Sequence, residues 1–374
     1  MASVSEPRQV VIVGGGPGGA SVAINLASQG LTPIVLETLP EPESKVGECL
    51  PPTAAPILQR LGLADHLQRD GHLPTYGNRS VWGAPAPLER DFIFGTQGHG
   101  WQLDRARFEA RLMNRARAEG ADWRCGVRLV ECVRRDGCWT LSVRTSSGGD
   151  ATLEADFVVD ATGRASRLAR RMGARQLRYD RLVGTAFLLK SRSGKGIKDS
   201  FTLVEAIRSG WWYSARLPDE KLMVVFFTDH DLLDHEVLKT DGWFALLRET
   251  EHTGRRVSEG DYEPLTEPRV LAAHGSCLDA VAGERWLAVG DAAAAYDPLS
   301  SYGISAALGA GVYAASAIVD FFAGKRDALP AYRKIIEQSF AQYLIRHKEY
   351  YALERRWPDE LFWKRRHEPF AQRA

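Results

Sequence analysis

The chain has 374 residues, 44% of them hydrophobic and 25% charged, which excludes a disordered or fibrous protein and allows more than one structural lobe. Forty-eight basic residues against forty-seven acidic ones leave a net charge of +1, so no global field draws the chain onto nucleic acid or anionic lipid. Five cysteines, an odd number with no CxxC pair, fit neither a disulfide framework nor a metal site and point to a reducing compartment.

The N-terminus shows no signal-peptide pattern, because Glu6 and Arg8 lead directly into Val10–Val13, and a cytoplasmic location is expected. Val10–Val13 is a β-branched run bounded by glycines, the pattern of a strand buried on both faces of a parallel sheet. Ala20–Gln29 reads as a helix stopped by Gly30, and Pro33–Glu37 as the next buried strand. Between the two strands, Gly14-Gly15-Gly16-Pro17-Gly18-Gly19 fits the GxGxxG fingerprint of a Rossmann-type dinucleotide site. In that fingerprint Gly14 makes the tight turn, Gly16 lets backbone N–H groups approach a pyrophosphate, and Gly19 allows close helix packing. Glu37 ends the second strand, where an acid accepts hydrogen bonds from a ribose.

Further on, Arg105–Ala118 has helical spacing, and Val127–Val133 with Trp139–Val143 reads as an antiparallel hairpin. Phe157–Asp160 is another buried strand, closing on Ala161-Thr162-Gly163. From Leu182 to Phe227 alternation dominates and predicts a separate sheet, with Trp211, Trp212 and Tyr213 lining an aromatic pocket or forming sheet core. The strand Trp286–Val289 ends in Gly290-Asp291, which looks like a second FAD fingerprint, with the Asp291 carboxylate directed at the ribityl or ribose region; the simpler reading is an Asp N-cap. Pro298–Val319 carries no charge and is long enough to span a bilayer. Its Ala, Gly and Ser content instead predicts a buried helix packed on a cofactor, so no membrane span is expected. The segment from Leu329 onward reads as a helical tail interrupted at Pro358, rich in aromatic and basic residues.

Several further segments fall in the order of one flavoprotein subgroup: Val46-Gly47-Glu48-Cys49-Leu50-Pro51-Pro52, Trp101-Gln102-Leu103-Asp104-Arg105, Asp160-Ala161-Thr162-Gly163-Arg164, Tyr179 to Gly184, and Pro298-Leu299-Ser300-Ser301-Tyr302-Gly303-Ile304. With Glu354 to Pro358 and Phe362-Trp363, they make the chain resemble, along nearly its whole length, the LodB/GoxB type of FAD-dependent monooxygenase, related to flavin-dependent tryptophan halogenases and aromatic hydroxylases.

The resemblance implies FAD as cofactor and hydroxylation of a tryptophan in an immature quinoprotein amine or amino-acid oxidase, on the way to cysteine tryptophylquinone. It implies O2 as co-substrate, with NADH or NADPH as a transient reductant, since no second Rossmann fingerprint is present. It places Glu48, Cys49 and Tyr302 beside the isoalloxazine as the candidate catalytic set. Gly14, Gly16, Gly19, Glu37, Arg105, Gly163, Gly290, Asp291, Pro298, Gly303 and Ile304 are the expected FAD-binding residues. The subgroup has Ser where Cys49 stands and Gln where Tyr302 stands. Cys49 is then a reactive thiol or, more simply, a small buried residue.

A tryptophan halogenase needs a lysine soon after the Gly-Glu motif, and this chain has none from 46 through 189. The halogenase WxWxIP motif is also missing, the nearest stretch being Trp212 to Pro218. A hydroxylase of a free small aromatic, a flavin reductase of isoprenoid double bonds, and a non-catalytic FAD-bound assembly factor that grips a partner through its aromatic tail are the remaining readings. The expected fold is α/β. A Rossmann-like FAD-binding domain takes residues 1–72, 100–170 and 275–328, an inserted antiparallel-sheet substrate domain 73–99 and 171–274, and a helical tail 329–374.

Overall fold

The computed structural model describes residues 8–368. At its centre lies a six-stranded sheet in the order Ala282–Gly283, Trp286–Ala288, Phe157–Asp160, Val10–Val13, Ile34–Leu36, Asp122–Arg124. All neighbouring pairs are parallel except the short one at Ala282–Gly283. Val10, Val11 and Ile12 are fully buried, as strands covered on both faces require.

The first helix, Pro17–Ala27, begins earlier than the apolar pattern suggests, because Pro17 at its first turn supplies a pre-set φ and lacks an N–H that would go unused there. It packs against Arg105–Ala118, whose limits match the sequence pattern, and against Gly303–Phe322. That last helix is long and apolar enough to cross a membrane. Here it lies on the lobe of the six-stranded sheet, and at Gly311 an added Cβ would sit 2.5 Å from the Ser21 side chain. Val127–Arg135, Cys138–Thr145 and Asp150–Ala155 form an antiparallel three-stranded sheet.

The second large sheet has eight strands. Its core is Leu182–Ser191, Lys221–Asp229, Gly210–Leu217 and Thr202–Ile207, and Gly77–Val81 and Leu88–Asp91 extend one edge. Both faces are covered. Trp212, Phe187 and Phe226 face the helices Thr240–Leu247 and His252–Glu259 through Trp243 and Val257. Trp211, Val225 and Phe227 face the tail through Tyr351, Phe362 and Trp363. Alternation along Gly210–Leu217 therefore sends two adjacent tryptophans into two different cores, and both are fully buried.

The tail is two helices, Ala328–Leu353 and Leu361–His367. Its aromatic residues are mostly core: Tyr351 and Trp363 are fully buried and Phe362 nearly so, while Tyr350 is half-exposed. A tail that spends these side chains on intramolecular packing is not a free grip for a partner. The basic end is tied down as well, since Arg365 and Arg366 both reach Asp229 at 2.8 Å.

Candidate functional site

The glycine turn after Val13 is shaped by close approach. Gly14 has a φ of +110°, and a Cβ there would stand 2.2 Å from the Ala161 carbonyl oxygen; at Gly19 it would stand 2.1 Å from that of Gly14. At Gly16 and Gly303, by contrast, an added Cβ would meet nothing within 4 Å. Open space thus lies before two helix N-termini, Pro17–Ala27 and Gly303–Phe322, whose free N–H groups favour phosphate or anionic ring edges.

Glu37 accepts from the Gly15 N–H at 2.7 Å and from the Leu39 N–H at 3.0 Å, which holds its carboxylate over the turn. Beside it is a recess of about 290 Å³ walled by Trp123, Met113, Cys125 and Leu39, with Lys45 and Glu109 at its side. These walls were not identified from the sequence. The available signal was the strand Asp122–Arg124, which pairs with Ile34–Leu36 and carries Trp123 toward Gly15.

Gly163 lies in the left-handed region and opens a short turn on open space. The preceding Asp160 is buried and fully engaged. Its carboxylate accepts from the N–H groups of Thr162, Leu168 and Ala169 and from the Thr162 hydroxyl, all at 2.7–2.9 Å. It therefore builds the turn and is not available to a ligand.

Gly290 packs over Gly18, and Asp291 is the middle residue of the short turn Gly290–Ala292, which Val289 precedes, so it does not serve as its N-cap. Its carboxylate lies 3.5 Å from Arg164. Burial pushes its carboxyl up, while Arg164 and Arg105 pull it down. Arg164 itself clasps the carbonyls of His274 and Tyr296.

Arg105 is not a solvated surface residue, its side chain being 10% exposed. It donates to the carbonyls of Val46 and Gly47 and pairs with Glu109, while its buried Nε has no partner among the described residues. Its visible work is to hold the Gly47 loop, with the Nε donor left over.

That loop delivers Glu48, which is 1% exposed and has neither carboxylate oxygen hydrogen-bonded among the described residues. Burial raises its pKa to about 7, against the Arg105 charge and weaker backbone contacts at Gly47 and Glu48. Glu48 borders a second recess of about 270 Å³ between the lobes, shared with Leu103, Leu188, Leu217, Lys45 and Lys221.

Cys49 lies against the Ser301 side chain, and burial followed by the Glu48 charge pushes its thiol up to about 12. The thiol is half-buried and stays protonated, which argues against a reactive thiolate. Tyr213 comes from the eight-stranded sheet and lies near Cys49 and Glu48, and burial above all keeps its hydroxyl protonated.

The segment from Pro298 to Ile304 is held from below. Asp297 caps it through the Leu299 N–H and is itself hydrogen-bonded by Tyr351 and His347. Tyr302 ends the turn half-exposed, and Gly303 and Ile304 start the helix behind it. Asp180, Asp297 and His347 lie close enough to share a cation. The Asp180 and Asp297 carboxylates, however, already accept N–H groups of Leu182, Gly275 and Leu299.

The FAD binding domain family model matches residues 8–348. The chain belongs to that family. FAD is its cofactor, and the turn at Gly14–Gly19, the Glu37 recess and the open helix N-terminus at Gly303 fit such a molecule. Over 367 residues it is 29% identical to LodB of Marinomonas mediterranea, named as an FAD-dependent oxidoreductase, covering 97% of both chains. The solved peptidyl tryptophan dihydroxylase QhpG, described as essential for tryptophylquinone cofactor biogenesis, is 26% identical. It superposes with a TM-score of 0.78 over 97% of this chain and 79% of its own. The myxobacterial chondrochloren halogenase CndH shares the fold at a TM-score of 0.87 and 23% identity, over 97% of this chain and 87% of its own. The chain is thus a flavin-dependent oxidoreductase that is similar to LodB and has a fold shared with halogenases.

Proposed function

We propose that the protein is a monooxygenase that hydroxylates a tryptophan side chain of a partner protein, an immature amine or amino-acid oxidase, during cysteine tryptophylquinone biogenesis. The observation that carries the reading is the buried Glu48, titrating near neutrality between the Gly47 loop, the Cys49–Ser301 contact and Tyr213. Similarity to QhpG, a peptidyl tryptophan dihydroxylase, directs it toward a protein substrate.

Bound and reduced, FAD supplies the activation of O2. One oxygen atom enters the ring C–H bond, the other leaves as water, and two electrons come from NADH or NADPH. The chain's own contribution is placement, dryness and proton handling. The N–H groups of Gly303 and Ile304, at the open start of their helix, would stabilise negative charge on the bound cofactor. Glu48 carries a proton at its carboxyl up to about pH 7 and releases it above that, so it can give and take one within a single cycle at neutral pH. Its burial keeps bulk water from the reacting atoms.

Halogenation is the second reading, favoured by the shared fold. Two lysines, Lys45 and Lys221, do border the Glu48 recess. Lys45 is paired with Glu109 at 2.6 Å and Lys221 with Asp219 at 3.6 Å, which argues against a free amine carrying an oxidised halide. A bromide- or chloride-dependent product would decide for it. The free state of all five cysteines supports a cytoplasmic setting. The test of the main reading is to co-express the chain with a neighbouring oxidase precursor and weigh the precursor for added oxygen on tryptophan.

A further inference from the structure

The strand Gly100–Gln102 ends in a side chain that the fold itself does not use. Gln102 is 1% exposed, and neither its Oε1 nor its Nε2 has a hydrogen-bond partner among the described residues. A buried primary amide offers two donors and an acceptor, and leaving them bare costs about 1–3 kcal/mol. Such a group is retained where a ligand completes it.

Its surroundings say which ligand. Cys49 sits directly opposite Gln102 in an antiparallel pair, so the two side chains share a face. On that face the Cys49 thiol meets Ser301, one residue before Tyr302 and two before the helix at Gly303. The strand Gly210–Leu217 packs against Gly100–Gln102 and brings Tyr213 toward Cys49 and Glu48. The Leu103 N–H donates to the Glu48 carbonyl at 2.9 Å, tying the end of the Gly100–Gln102 strand to the Gly47 loop. Gln102 therefore lies on the Cys49 face, which meets the cofactor-facing turn at Ser301 and the eight-stranded sheet at Tyr213.

We propose that Gln102 is a specificity-determining residue whose side-chain carbonyl accepts the ring N–H of an indole. This rests on the reading that the substrate is a tryptophan side chain. The two polar residues divide the work by their chemistry. Glu48 titrates and so can move a proton; Gln102 does not titrate and so can only recognise. An indole N–H donates and accepts nothing, which matches a carbonyl oxygen held in a dry site, whereas a ring of the same shape without the N–H leaves that oxygen bare.

The experiment is a flavin absorption titration of the purified FAD-bound protein with indole and with benzothiophene, which has the same shape but no N–H. The wild type is expected to prefer indole by about tenfold, and the ratio is expected to collapse to about one in Gln102→Leu and in the unbranched Gln102→Met. Because the amide has no partner among the described residues, neither variant is expected to lower the Tm of the apoprotein. An unchanged ratio in both variants, or no spectral response of the wild type to either ligand, overturns the proposal. So does a ligand-free flavin spectrum that shifts in the variants while both ligands weaken equally, since Gln102 then serves the flavin. A Gln102-dependent indole preference without oxygenation of any partner tryptophan leaves the recognition site standing and removes the proposed function alone.

Discussion

The Tyr351 hydroxyl donates to the Asp297 carboxylate at 2.8 Å while accepting from the Trp211 indole N–H at 3.0 Å. One hydroxyl thus links the tail helix, the eight-stranded sheet and the turn that leads to Tyr302 and Gly303. Burial pushes the Asp297 carboxyl up, but His347, the Leu299 N–H and Tyr351 outweigh it and hold the group ionised.

Tyr351→Phe removes one donor from a buried carboxylate and the acceptor of a buried indole N–H. It is expected to destabilise the protein by about 1–3 kcal/mol and to loosen FAD. Thermal melting with and without added FAD measures both. An unchanged Tm and FAD affinity would mean that the tail does not support the turn.

Gly14→Ala places a Cβ against the Ala161 carbonyl at a left-handed φ. The backbone must move in the turn that receives the pyrophosphate, so the purified variant is expected to lose most of its bound flavin. The ratio of flavin to protein absorbance reads this directly.

Glu48 makes a pH prediction whose sign follows from its raised pKa. The folded apoprotein holds the proton more tightly than the unfolded chain, so the site's contribution to stability is fully present below pH 4.5 and is lost as pH rises through about 7. Glu48→Gln has no such dependence. The variant is expected to gain about 3 kcal/mol on wild-type apoprotein between pH 4 and pH 8, read as a widening Tm difference. If Glu48 also serves as acid, the wild-type turnover rate falls as pH rises through about 7 and the variant lacks that limb.

Much of the cofactor cradle was legible because it is local. Gly14 to Glu37 spans one strand, turn, helix and strand, and each residue's task follows from its position in that run. The pair Trp211 and Trp212 was harder, since alternation shows that they face opposite ways but not that helices cover one face and the tail the other. Asp297 carries no signal of its own beyond standing before Pro298. Its partners lie about fifty residues away, although Tyr343, His347 and Tyr351 recur every four residues on one helix face, and that spacing was a readable sign of a buried polar stripe. Gln102 stood within a recognisable segment, yet a glutamine in a strand reads as a solvated residue until three-dimensional burial shows otherwise. The Glu37 recess was half visible: the acid was evident and Trp123 was not, because its approach depends on which strand closes the sheet edge.

The most direct test of the central claim is the mass of an oxidase precursor co-expressed with this chain, with peptide mapping of its tryptophans. Added oxygen on one tryptophan, absent when the Gly14→Ala variant replaces the wild type, is the predicted result. An unmodified precursor in the presence of folded protein carrying reducible FAD would contradict it.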